Sequence, residues 1–304
     1  MIQQTRKALF NFMKESRKTQ KQISKETGLS TSVISQFLNE TYSGDNEQIA
    51  ETINRYLTVG KERLNTVQKS CFYPGLYNTQ EVLFACNYAH IKNDVVLVSG
   101  DAGAGKTTAL RYYAQNNTGV IFVTANACAV TATAILSLIC REIGLQSTNR
   151  RAVLMNGLVE HLAGTNRLII IDEADHLSLD ALQAVRNLND QAGCGIVFAG
   201  NDKIYRQMFS PRRGYEFDQV RTRIIVRKKV FNDYTAEEIS AIFPGLTENS
   251  ECIGYLLKLS SVESLRTAAK LFDVATEFAD EKGQRLGIKH LRDTQRQLLG
   301  EIMA

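Results

Sequence analysis

Two short stretches of this 304-residue chain carry residue types that do chemistry on phosphates. The first is Gly100-Asp101-Ala102-Gly103-Ala104-Gly105-Lys106-Thr107, followed by Thr108. Glycines at these intervals let backbone N–H groups turn inward onto phosphate oxygens, and a helix start behind them adds a positive dipole end. A lysine in the place of Lys106 reaches β- and γ-phosphates, and a hydroxyl in the place of Thr107 ligates Mg2+. The second stretch is Asp172-Glu173 at the end of Leu168-Ile169-Ile170-Ile171. An acid at the end of such a run holds Mg2+, the role expected of Asp172. Glu173 beside it is placed to polarise a water attacking the γ-phosphate, as a general base. Together they predict a nucleoside-triphosphate site that hydrolyses its ligand.

Such chemistry needs a strand before each stretch and a helix after the first. Val95-Val96-Leu97-Val98 is a β-branched apolar run, and Ala109 to Gln115 reads as a helix. From 79 to 229 strand and helix patterns alternate: strands at 95–99, 119–124, 167–171, 195–199 and 223–227, with helices at 79–91, 106–116, 131–143, 151–163 and 178–190. This alternation predicts an α/β unit with a parallel sheet covered on both faces and the nucleotide at the carboxyl ends of the strands. Residues 230–304 read as helices only, at 233–242, 248–260, 264–281 and 288–300, a helical lid.

Residues 1–57 read as a small all-α unit. A helix at 19–27 is broken at Gly28-Leu29-Ser30, and a Ser-capped helix from Thr31 to Leu38 follows, which is the helix-turn-helix plan. Ile23, Leu29, Ile34 and Leu38 fall where its core belongs. The second helix then presents Thr31, Ser32, Ser35 and Gln36, small polar groups suited to phosphates or base edges of double-stranded DNA. Residues 58–78 show no sustained period and contain Gly60, Pro74 and Gly75, so they read as a linker.

Composition is that of an ordinary globular chain, 44% hydrophobic and 22% charged, with a net charge of only +4. The basic charge is clustered, however. Arg6, Lys7, Lys14, Arg17, Lys18, Lys21 and Lys25 crowd the first 27 residues, and Lys203, Arg206, Arg212, Arg213, Arg221, Arg223, Arg227, Lys228 and Lys229 lie within 203–229. Clusters of this kind suit a phosphate backbone and also suit a solvated face. Arg150 and Arg151 open the helix before the Asp172 strand and are candidates both for DNA contact and for plain solvation. The 6 cysteines form no C-x-x-C pair, and the four histidines (His90, His161, His176, His290) show no ligand spacing. No signal peptide and no membrane-length apolar run is found, so a cytoplasmic protein with no membrane partner is expected.

The order of parts from 79 to 300 resembles the AAA+ ATPases, with Gly100–Thr107 as Walker A and Asp172-Glu173 as Walker B. The letters Asp172-Glu173-Ala174-Asp175 also occur in RNA helicases, but those need a second nucleotide-binding lobe that the remaining length cannot supply. The AAA+ resemblance implies three further roles. Asn201, after the strand Gly195–Ala199, matches the sensor-1 residue that positions the attacking water. Arg221 and Arg223 lie in a segment placed like the arginine finger that reaches a neighbouring subunit's γ-phosphate, with Arg223 favoured. Arg266, opening a lid helix, matches sensor 2.

With the N-terminal unit included, Gly28–Thr31, Tyr42–Glu47 and Ile169–His176 resemble the B proteins of Mu-type transposing phages. That resemblance implies an ATP-dependent DNA-binding ATPase with little sequence preference. It further implies self-association into helical filaments, delivery of target DNA to a partner transposase, activation of that transposase, and residence in the host cytoplasm. Two other readings stay open. An AAA+ helicase loader or initiator would deliver a helicase in an ATP-dependent way, and a nucleotide-gated helix-turn-helix regulator would leave an operator footprint at high salt.

Overall fold

Strands buried on both faces must be apolar along their whole length, and three runs of this chain meet that demand. In the computed structural model, which describes residues 2–65, 70–128, 130–209, 214–246 and 249–300, these runs are the centre of one sheet. The chain divides into two compact units, Met1–Lys69 and Ser70–Ala304.

The first unit has four helices: α1 (Ile2–Ser16), α2 (Gln20–Thr27), α3 (Thr31–Leu38) and α4 (Asn46–Asn65). Local chemistry sets the turn between α2 and α3. Thr19 and Gln22 form a capping box, Gly28 adopts the left-handed conformation (φ +76°) that closes α2, and the Ser30 hydroxyl accepts from Val33 N to open α3. Caps of this kind are worth about 1 kcal/mol each. Leu9, Phe12, Ile23, Ile34, Phe37 and Ile53 form the core, so Ile23 and Ile34 are central as expected. Leu29 and Leu38 only flank it, and Phe37 holds the place assigned to Leu38. A residue apart on a helix is a rotation of roughly 100°, enough to move a side chain from core to flank.

The second unit opens with α5 (Tyr77–Lys92) and continues β1 (Val95–Gly100), α6 (Lys106–Asn116), β2 (Val120–Thr124), α7 (Ala132–Glu142), α8 (Arg151–Leu162) and β3 (Leu168–Asp172). Then come a 3-10 turn at Ala174–His176, α9 (Leu179–Ala192), β4 (Gly195–Ala199), α10 (Asp202–Phe209), α11 (Asp218–Arg221) and β5 (Ile224–Val230). The strand order is β2-β3-β4-β1-β5, and every pairing is parallel. Alternate residues serve opposite faces. Leu97, Ile169, Ile171, Ile196 and Phe198 pack toward α7, α8 and α9, whereas Val96, Val98, Ile170 and Val197 pack toward α5 and α6. A register shift beside Val95 leaves Ile225 of the edge strand β5 outside the pairing and exposed.

The chain ends in α12 (Ala236–Ile242), α13 (Ser250–Val262), α14 (Leu265–Glu281) and α15 (Ile288–Leu299) around their own core of Phe243, Leu256, Leu271, Phe272 and Leu291. Among the described residues no helix is long and apolar enough to cross a membrane.

The stretch 58–78 departs from the expected linker. α4 runs unbroken past Leu57 to Asn65, because the lone Gly60 costs a helix only about 1 kcal/mol and no proline interrupts it. Residues 70–77 are likewise tied down. Ser70 N donates to Asp273 (2.7 Å), Cys71 N to the Ile242 carbonyl (2.8 Å) and Tyr77 N to Glu238 (2.7 Å), while Leu76 joins the core of α12–α15. The Phe72 ring packs on Tyr112 of α6.

Candidate nucleotide site

The P-loop connects the end of β1 to the start of α6, and its glycines are required by space as well as by backbone angle. Gly100 sits at φ +145°, where a Cβ would lie 1.9 Å from the Val230 carbonyl oxygen of the neighbouring strand. Gly103, at φ +76°, has no room for one either, since it would strike Ser264 at 2.6 Å and approach Arg266 at 3.5 Å. The start of α14 therefore packs against the P-loop through Ser264, with Arg266, the residue expected to be sensor 2, beside it. Gly105 enters α6 at φ +89°. Ala104 is buried, and Asp101 and Ala102 are held by Asn232, which donates from its N to Asp101 and from Nδ2 to the Ala102 carbonyl.

Lys106 Nζ donates to the carbonyls of Gly100 (3.0 Å) and Asp101 (2.7 Å), the edge of the cradle itself. Burial draws its ammonium below the ordinary lysine value, and Glu173, Asp172, Asp101 and Asp175 pull it back up. Thr107 Oγ1 donates to Asp172 Oδ2 at 2.8 Å, which joins the P-loop helix to the end of β3. A threonine hydroxyl and a buried carboxylate are the oxygen donors that a small hard cation takes, so Thr107 and Asp172 fit a Mg2+ ion. Thr108 continues the first turn of α6.

Glu173 leaves the strand in the left-handed region, at φ +55°, uncommon for a residue with a side chain. The turn redirects the chain, so that Asp175 points back to β4. Both Asp175 oxygens accept from Asn201, one from its backbone N (3.1 Å) and one from Nδ2 (2.7 Å). Glu173, Asp175 and His176 offer ligand atoms within 4.8 Å of one another, a proximity the histidine spacing alone did not indicate. A cleft of about 520 Å³ runs between Gly100–Ala102 and the Asn201–Gln207 segment, with Lys203 and Arg206 on its far wall.

The remaining predicted residues lie apart from this cluster. Arg223 pairs with Asp190 of α9 at 3.3 Å and Arg221 with Asp218 at 2.5 Å, both partly exposed. Arg151 pairs with Asp180, and Arg150 is exposed just before α8. In the basic segment 203–229, Lys228 pairs with Glu81, while Lys229 and Arg206 share Asp202 and hold its carboxyl below the usual range, Lys229 most strongly. Arg227 lies over the Phe209 ring. Arg212 and Arg213 lie outside the described residues. Much of this cluster's charge is thus balanced by acids, several of them distant in sequence. The N-terminal cluster differs: among the described residues Lys7, Lys14, Arg17, Lys21 and Lys25 are exposed and form no ion pair. On α3, Thr31, Ser32 and Gln36 are exposed, and Ser35 is half-buried beside the core.

This chain is 31% identical to the ATP-dependent target DNA activator B of Escherichia phage Mu, over 98% of its own length and 96% of that protein. It belongs to the Mu-type B family. The B protein of phage D108 matches to the same extent, and the Mu-like prophage FluMu DNA transposition protein B of Haemophilus influenzae is 30% identical over 67% of this chain and 72% of that protein. A family model described as an AAA domain matches residues 91–208, the segment that holds the P-loop, Asp172-Glu173 and Asn201. Among solved structures, Cdc6p from Pyrobaculum aerophilum shares the fold at a TM-score of 0.53 and 17% identity, covering 74% of this chain and 67% of that one. The fold of this B-family member is accordingly the P-loop AAA+ fold, an α/β core with a helical lid.

Proposed function

We propose that this chain is an ATP-dependent, largely sequence-nonspecific DNA-binding ATPase, which assembles on target DNA, delivers it to a partner transposase and activates that partner. The observation that carries the reading is the meeting of Lys106, Thr107, Asp172 and Glu173 at the P-loop, with Asn201 bonded to Asp175 of the Glu173 turn, in a chain of the Mu-type B family. The backbone N–H groups from Gly100 to Thr108 cradle the phosphates of ATP, and Lys106 leaves its two carbonyl partners for the β- and γ-oxygens. Thr107 and Asp172 would hold the Mg2+ ion, which would offset the charge of the phosphates. Glu173 accepts the proton of the attacking water, which Asn201 orients. Arg266 approaches the phosphates from the lid in the same subunit, whereas Arg223 or Arg221 reaches the site of a neighbour in a homo-oligomer or helical filament.

In this reading the N-terminal unit is the helix-turn-helix DNA-binding domain, with Thr31, Ser32, Ser35 and Gln36 toward DNA and Lys7, Lys14, Arg17, Lys21 and Lys25 on the DNA backbone. Arg150 and Arg151 form a second DNA-contact candidate. The names of the relatives, a target DNA activator that is ATP-dependent and a DNA transposition protein, support this assignment over a helicase loader or an operator-binding regulator. ATP turnover and strand transfer measured with duplex DNA and the cognate transposase test it. Turnover should rise with both additions, and transposase should use B-bound DNA preferentially. Turnover indifferent to both, or delivery of a helicase instead, would contradict it.

A further inference from the structure

Asp175 is buried, yet no part of the hydrolysis scheme above uses it. Its carboxylate is spent on one residue. Oδ1 accepts from Asn201 N (3.1 Å) and Oδ2 from Asn201 Nδ2 (2.7 Å). Asn201 Oδ1 in turn accepts from Lys203 N at 2.8 Å. These partners fix which end of the amide is oxygen and which is nitrogen, because a carboxylate only accepts and a backbone N–H only donates. One amide proton of Nδ2 is then committed to Asp175, which leaves the second for another acceptor, and Asn201 is a lining residue of the cleft. The neighbouring residue makes room for the arrangement: a Cβ on Gly200 would lie 2.6 Å from Asp175 Oδ1.

From this geometry we infer that Asp175 is a positioning residue for hydrolysis, fixing the amide of Asn201 and thereby linking the Glu173 end of β3 to the end of β4. The inference rests on the proposed water-orienting role of Asn201. Glu173 and Asp175 are carried by the same turn, begun by the left-handed residue at 173. A shift of the general base is therefore passed to the water-orienting amide through the Asp175 carboxylate alone. Gly200 is the second part of the device, since only a residue without Cβ lets the carboxylate approach the Asn201 backbone.

The test is a double-mutant cycle in the full-length protein, reading kcat and ATP affinity separately. In Asp175→Asn one of the two accepting oxygens becomes an NH2 group that faces a donor of Asn201 in either amide orientation, so one of the two fixing bonds is lost with little change of shape. A misplacement of this order is expected to lower kcat by about 10- to 100-fold, while ATP affinity stays within about threefold. Asn201→Ala should show a similar loss, and Asp175→Asn added to Asn201→Ala should cost nothing more. Gly200→Ala, which pushes the same carboxylate away, should reproduce the kcat loss and provides the test if Asp175→Asn does not fold. Losses that multiply in the double variant, or wild-type turnover in Asp175→Asn, overturn the inference. So does loss of ATP binding in both Asp175→Asn and Gly200→Ala, which would make the carboxylate a structural group. Wild-type turnover in Asn201→Ala alongside slow Asp175→Asn would instead show that the role given to Asn201 had failed, and the inference with it.

Discussion

Thr107 at the start of the P-loop helix donates its hydroxyl to Asp172 at the end of β3 across 2.8 Å, joining segments 65 residues apart. In the proposed site this bond brings together the two oxygens that would hold one Mg2+ ion. Thr107→Ala should therefore raise the Mg2+ concentration needed for half-maximal hydrolysis by about 10- to 100-fold, the usual consequence of loosening a metal's support. Titrating Mg2+ at saturating ATP checks this, and an unchanged midpoint would place the cation elsewhere.

Glu173→Gln keeps the shape of the side chain but cannot accept a proton. Hydrolysis should fall by roughly 10²–10⁴-fold while ATP and Mg2+ still bind. DNA-bound assemblies should then outlast those of the unsubstituted protein when free nucleotide is removed. Unchanged turnover would move the general base to another residue.

Much of this was legible in advance, for a physical reason. Strands covered on both faces need unbroken apolar runs, so β1, β3 and β4 stood out, and the residues at their ends followed. The P-loop was legible because its glycines sit where a Cβ has no room, at Gly100 and Gly103, or where φ is positive, at Gly105. Asp175 was not, because its partner lies 26 residues away and spacing does not reveal which acid after Glu173 turns toward β4. The helix α10 escaped although Ile204, Tyr205, Met208 and Phe209 fall at helical spacing, because its eight residues give that pattern only about two turns. Nor did the sequence show that Lys228, Lys229 and Arg206 find acids on α5 and at the start of α10, so the charge cluster read as more open than it is.

Arg223 bears on catalysis shared between subunits. Its guanidinium is partly exposed at the entry to β5, where it pairs with Asp190. Mixing Lys106→Ala protein with Arg223→Ala protein creates sites that combine an intact P-loop with an intact arginine from the neighbour. Hydrolysis should reappear in the mixture, and a trans arginine elsewhere is worth about 10³–10⁵ in rate. Mixed oligomers as inactive as either variant would pass the role to Arg221 or remove it from this segment.

DNA affinity should fall steeply with salt and vary little with sequence, as expected if Lys7, Lys14, Arg17, Lys21 and Lys25 meet phosphates. Each phosphate neutralised contributes about −0.9 to the log–log slope, so replacing one of these lysines by Ala should make the slope shallower by about that amount. Competition among unrelated duplexes gives the second readout. A single strongly preferred site would support an operator-binding regulator.

The central claim is that triphosphate held at Lys106 drives assembly on duplex DNA. Electron microscopy of the full-length protein with duplex DNA, with and without ATP, and of Lys106→Ala under the same conditions, tests it most directly. The account predicts continuous helical assemblies on DNA only for the unsubstituted protein with ATP. Equal assemblies without ATP, or with Lys106→Ala, would contradict it.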